Sequence, residues 1–175
     1  MKASPWSAPV RLDEIPQTGL RLDLAPDAAT CAAVAVAAGV NGVARLHAGF
    51  DLARHGRDGL RVVGTVAATV RQTCVVTLDP VENEIEEGID LVFVPASVAT
   101  GNEVNVSVDA AEPPEVLIDG VVDLGAIATE FLMLGVDPYP RKAGAVFEPP
   151  PSPDAGSQPF AALAALRTER DRRRS

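Results

Sequence analysis

From Asn41 to Pro95 the chain alternates apolar and polar residues with few breaks, and this period constrains the fold more than any other feature. In "NGVARLHAGFDLARHG", Ala44, Leu46, Ala48, Phe50 and Leu52 fall on one face, and Arg45, His47 and Asp51 on the other. A period of two over this length predicts a half-buried β-strand. Asp58-Gly59 at the end of "HGRDG" predicts a hairpin turn. The chain resumes with "LRVVGTVAATVRQTCVVTL", in which Leu60, Val62, Val66, Ala68 and Val70 share a face. A third strand is expected in "EIEEGIDLVFVP", with Ile89, Leu91 and Phe93 inward. Sequential strands on short connections favour an antiparallel meander.

Helical patterns flank this region. Pro26-Asp27 signals a helix start and Gly39 a stop, so a helix is expected over residues 28–38. Its alanine-rich, nearly all-apolar surface suggests packing on more than one side. Upstream, "VRLDEI" and "GLRLDLA" alternate and predict two short strands. In "DLGAIATEFLMLGVDPYPRKAG", Asp123 can cap a helix whose face comprises Leu124, Ile127, Ala128, Phe131, Leu132 and Leu134. Gly135 supplies a stop and Pro138 prevents a restart. Glu130 lies on the flank of that stripe, with Arg141 as its expected partner. The class is therefore α+β: a curved antiparallel sheet, partly barrel-like, with two packed helices. The expected domain covers residues 1–147. The proline-rich stretch "EPPPSPDAGSQP", residues 148–159, reads as a stiff linker. Beyond it, residues 160–175 read as a short C-terminal helix and basic tip, with Phe160, Leu163 and Leu166 along one side and Arg167 and Arg170 following. Such a helix needs a groove, on this domain or on a partner.

Charge and composition exclude several function classes. Hydrophobic residues make up 47% of the chain but aromatics only 4%, so the core is expected to be mainly Val, Ala and Leu. No run reaches the about 18 to 20 apolar residues that span a bilayer. The N-terminus lacks a secretory pattern, so a cytoplasmic location with no membrane partner is expected. Residues 72–140 hold 14 Asp or Glu and no Lys or Arg, within a net charge of −9. The last ten residues carry five Arg against two acids. An acidic body is not the basic footprint of a nucleic-acid binder, and no DNA partner is expected. Only the C-terminal arginines are suited to touch RNA, if they do not fold back on the acidic body.

Reaction chemistry has little support. Cys31, Cys74, His47 and His55 show no metal-ligand spacing, and the cysteines read as packing residues. Neither histidine has a nearby nucleophile or paired carboxylate, and no Gly-x-Ser-x-Gly or Gly-rich phosphate loop occurs. "GNEVNVSVDAAEPPE" reads as a long, flexible acidic connection. The run Glu82, Glu84, Glu86, Glu87 and Asp90 lacks the spacing and glycine of a calcium loop. No catalytic residue, metal or cofactor is expected. An enzyme would need two carboxylates converging in a pocket, with Glu130 the first suspect.

Several elements, in order, resemble one family. Asp123, Leu124, Glu130, Leu134, Pro138 and Pro140 follow the Asp-Leu, Glu, Leu, Pro-x-Pro order of the YceD family, the large ribosomal RNA subunit accumulation proteins. "CVVTLDPV" is similar to the family's Cys-x-Arg-Cys-Leu-x-Pro-Val segment at Cys74, Leu78, Pro80 and Val81, and "GTVAATV" to the strand before it. "QPFAALAAL", residues 158–166, resembles the Pro-Phe-x-x-Leu-x-x-Leu element near the family's C-terminus. "WSAPVRLDEIP" looks like the version in alphaproteobacterial members. The chain departs at Val76 and Thr77, where the family has Arg and a second Cys, so no thiol pair can form there.

The resemblance implies a non-enzymatic factor supporting accumulation of 23S rRNA through its synthesis, processing or stability. It carries no established catalytic activity for the family as a whole, and the gene commonly neighbours that of a small large-subunit ribosomal protein. The charge map adds an expectation: a basic ribosomal protein, or a pre-large-subunit particle, bound through the acidic surface around residues 79–137. Binding residues are then sought at Asp123, Glu130, Pro138, Tyr139, Pro140 and Arg141, and at Phe160, Leu163 and Leu166. The alternative is an α+β accessory module binding a small molecule or serving a lipid pathway, with a Val- and Ala-lined pocket inside the sheet.

Overall fold

A computed structural model describes residues 4–96 and 114–149. The chain divides into two compact units, Met1–Ala143 and Gly144–Ser175. Of the second, only residues 144–149 are described, and they contain no helix or strand. The expected C-terminal helix, with Phe160, Leu163 and Leu166, and nearly all of the proline-rich linker lie outside the described residues. So does most of the acidic connection beginning at Gly101.

The first unit runs β1 (Pro9–Arg11), a 3-10 turn (Leu12–Glu14), β2 (Leu20–Leu24), α1 (Ala28–Ala38), β3 (Gly42–His55), β4 (Gly59–Thr73), β5 (Pro80–Pro95), β6 (Glu115–Leu117), β7 (Val121–Asp123) and α2 (Leu124–Gly135). Five strands form one sheet in the order β2-β3-β4-β5-β6, and β1 pairs with β7 separately. The expected meander is present, since β3, β4 and β5 pair antiparallel in sequence. The α+β class is as expected, with two helices and a five-strand sheet. Among the described residues no pairing joins β2 to β6, so the sheet does not close into a barrel, and β6 is the exception to the antiparallel order, running parallel to β5.

The alternation survives in detail except where the backbone slips. Leu46, Ala48, Phe50 and Leu52 are buried on β3, opposite Ala68, Val66, Gly64 and Val62 on β4. Ala44, expected inward, is exposed. The register shifts between Val43 and Arg45, so Ala44 is the extra residue of a β-bulge, and Val43 packs against the core instead. The β3–β4 turn occupies residues 56–58, with left-handed φ at Gly56, not at Asp58-Gly59. Gly59 already belongs to β4 and pairs with His55.

Both helices lie against the sheet, α1 on β3 and α2 on β5 and β4. Asp27 caps α1 through the Thr30 amide (2.8 Å), and Gly39 ends it in the left-handed conformation. Only Val34 and Ala35 of α1 are buried, and Val36 is 83% exposed, so this helix packs on one side only. On α2, Leu124, Ala128 and Leu132 are fully buried, whereas Leu134, expected inward, is 74% exposed. Leu134 stands at the margin of the stripe, while β5 packs beneath the neighbouring Gly135 through Ile85 and Glu87.

Charge covers the other face of the sheet. Arg61 grips Asp90 with two bonds (3.0 and 2.8 Å), Arg71 meets Glu82 at 3.2 Å and Arg45 meets Glu84 at 3.6 Å. Arg21 stands 3.8 Å from Asp51. These pairs follow from the register: Arg71 is opposite Glu82, and Arg45 reaches past its partner Thr69 to Glu84, which faces Thr69 on β5.

Candidate functional site: a proline segment bound to a cysteine turn

Two segments far apart in sequence are stitched together at one end of the sheet. The first is the turn between β4 and β5, residues 74–79. It closes on itself, with the Cys74 amide donating to the Asp79 carbonyl at 2.8 Å and the Leu78 amide to the Cys74 carbonyl at 3.0 Å. Leu78 adopts φ +61° while 76% exposed. A β-carbon makes that conformation unfavourable, and no burial of the side chain compensates for it.

The second segment leaves α2 at Val136 and runs through Asp137-Pro138-Tyr139-Pro140-Arg141-Lys142. The Val75 amide donates to the Pro140 carbonyl at 2.9 Å. Lys142 supplies two contacts, its amide to Cys74 Sγ at 3.3 Å and its Nζ to Asp79 Oδ2 at 2.9 Å. Gln72, buried on the inward face of β4, donates its Nε2 to the Asp137 carbonyl at 2.7 Å and accepts from Asn83 Nδ2 at 2.8 Å.

Cys74 is the centre of this junction. Its side chain is fully buried, and Sγ accepts from the amides of Val76 and Thr77, both at 3.4 Å, and from Lys142. These bonds, the Lys142 amide foremost and the Thr77 hydroxyl next, outweigh burial and lower its thiol to about 6. Lys142 Nζ first, then the Thr77 hydroxyl, holds the Asp79 carboxyl below its ordinary value. Cys31 behaves oppositely, since burial and then Asp27 push its thiol up. Both cysteines are free.

The sequence-predicted residues fall into separate places. Asp123 caps α2, accepting from the Ala126 amide at 3.1 Å, and also holds the N-terminal segment through Ser7 Oγ at 2.7 Å and the Ala8 amide at 2.8 Å. Burial raises its carboxyl, but the bonds from Ser7, Ala8, Ala126 and Gly125 together leave it lowered. Pro140 is buried, while Pro138, Tyr139 and Arg141 are exposed. Glu130 is exposed on α2, and it makes no ion pair with Arg141. The neighbouring Lys142 binds the body through Asp79, whereas Arg141 makes no ion pair among the described residues. Among the described residues no three His, Cys, Asp or Glu converge as metal ligands. Gln72 was missed by the motif reading, although a polar residue continuing the inward row of Val66, Ala68 and Val70 was the available signal.

The two stitched segments contain the strongest sequence resemblances, and comparison with known proteins covers both. A family model described as large ribosomal RNA subunit accumulation protein YceD matches residues 62–167, more than half of the chain. The chain belongs to the YceD family. No curated protein and no solved structure matches it. In this member Thr77 stands where the resemblance would place a second cysteine, and its amide donates to the Cys74 sulfur at 3.4 Å. The turn is therefore closed by N–H donors around one sulfur. Membership connects the chain with accumulation of large-subunit ribosomal RNA, and among the described residues no helix is long and apolar enough to cross a membrane.

Proposed function

We propose that this protein acts in the cytoplasm as a non-enzymatic factor in large-subunit biogenesis, binding a basic ribosomal protein or a pre-large-subunit particle through its acidic surface. Membership of the YceD family is the observation that carries the ribosomal part of this reading. The distribution of carboxylates supports the choice of partner. Glu82, Glu84 and Asp90 are matched by arginines across the open face, but Glu86, Glu87, Glu115, Asp119 and Glu130 have no cationic partner among the described residues. Unmatched carboxylates attract basic proteins and repel phosphate, so encounter would be fast at low salt and weaken as salt rises.

The test is the ratio of mature large- to small-subunit rRNA in cells depleted of this protein, with re-expression as control. A selective fall in the large-subunit species that re-expression restores is expected. In parallel, purified basic ribosomal proteins should compete with rRNA fragments for the full chain and win. Equal failure to bind either would sink the partner assignment, and an unchanged rRNA ratio would sink the role itself.

A further inference from the structure

The last turn of α2 carries an imbalance that nothing else in the described residues corrects. At its N-terminus the helix is matched in full, since the Asp123 carboxylate faces the positive end of the dipole. At the C-terminus the last turn holds no basic residue, and Val136 follows in extended conformation without a capping side chain. The free carbonyls there present partial negative charge. Two carboxylates add to it. Glu130 lies one turn before Leu134 on the outer side, and Glu87 of β5 lies beneath the end, within 2.8 Å of where a β-carbon on Gly135 would stand. Neither makes an ion pair with another described residue.

Apolar surface sits within the same turn. Leu134 is 74% exposed and Met133 46%. With Glu130 they occupy positions i, i+3 and i+4, which are neighbours on a helix surface. An exposed leucine and methionine bordered by unmatched negative charge form a small anchor site that favours an occupant both apolar and cationic. A second copy docked α2 end to α2 end would bring carboxylate to carboxylate and is opposed by its own charge.

We propose that the C-terminal end of α2 docks a lysine- or arginine-rich amphipathic helix of a partner protein. Leu134 and Met133 take its apolar side, and Glu130, Glu87 and the helix carbonyls take its cations. This rests on the basic-partner reading above and locates the contact. Helix-on-helix docking of this kind uses anchors at helical spacing, with charge setting encounter and orientation.

The experiment titrates the full chain with a synthetic amphipathic helix of leucine and lysine, and separately with the purified basic ribosomal proteins. The variants are Leu134→Ser and Glu130→Lys. Both positions are exposed, so melting temperatures should match the parent. Each variant is expected to weaken binding of both probes by about tenfold, and Glu130→Lys should also flatten the salt dependence. Binding unchanged in both variants overturns the site. If the ribosomal proteins still bind them at full strength, the site fails while the partner reading stands. If the ribosomal proteins do not bind even the parent, that reading fails on its own account. A chain ending at Glu148 that gains binding absent from the full chain would make its own C-terminal segment the occupant. Self-association abolished by Leu134→Ser would make it a second copy. Either result overturns the proposal.

Discussion

At the scale of single residues, Cys74 shows how one atom changes meaning between sequence and structure. In the sequence it is a small apolar residue at the end of a strand. In the fold it is a sulfur receiving three amides, one of them from Lys142, 68 residues away. Reading Cys74 as a packing residue agrees with its burial, but such a reading carries no information on which distant backbone donors a buried side chain meets. Its ionisation is the property to measure. The folded thiol titrates at about 6, below the ordinary thiol value of about 8.5. A lowered acid contributes stability that is fully present above its unfolded value and lost as pH falls through its folded one. Stability should therefore rise with pH across roughly 6 to 8.5, and Cys74→Ala should flatten that rise and lower the melting temperature at pH 8. Thiolate absorbance in a Cys31→Ser background should show a midpoint near 6. A midpoint at the ordinary thiol value would mean that the amide bonds are too weak to hold the anion.

At the scale of elements, α2 and the three long strands were legible because each obeys a period, and α1 because Pro26-Asp27 and Gly39 mark its ends. Strand partners beyond the meander were not. β6 is three residues long and parallel to β5, and the pairing of β1 with β7 joins Pro9 to Asp123, contacts with no local signature. The N-terminal segment is held across α2 by close approach. A β-carbon on Gly125 would lie 2.9 Å from both the carbonyl carbon and oxygen of Trp6. Alanine is the better helix former by about 1 kcal/mol. The clash, however, is with backbone, which cannot rotate away as a side chain can, and overpacking of this kind costs about 1 to 3 kcal/mol. Overpacking should win. Gly125→Ala is expected to destabilise the fold by about 1 kcal/mol net, visible in denaturant melts. Amide exchange should speed up selectively near Ala8, which donates to Asp123 and accepts from the Leu124 amide. A more stable variant would show that the N-terminal segment yields without loss.

At the scale of the whole molecule, charge along the chain proved a poor map of charge on the surface. The stretch from residue 72 to 140 lacks any cation, yet β3 and β4 lay Arg45, Arg61 and Arg71 across its carboxylates. No reading of local composition reveals this, because the neutralising residues come from strands that precede the acidic run. Among the described residues the uncompensated acids are therefore patches that include Glu86, Glu87, Glu115, Asp119 and Glu130, while the open face is a mixed ladder. The two populations respond oppositely to salt. Screening weakens the exposed Arg pairs only slightly, and it relieves repulsion among uncompensated acids in a chain of net charge −9. Stability should accordingly rise modestly between low and physiological ionic strength. Replacing Arg61 and Arg71 by alanine releases Asp90 and Glu82 into the uncompensated set, so the variant should melt lower at low salt and approach the parent as salt increases. A deficit unchanged by salt would assign those arginines a packing role on the sheet. In that case the ladder contributes little to the surface potential, and the proposed binding of a basic partner would rest on the patches alone.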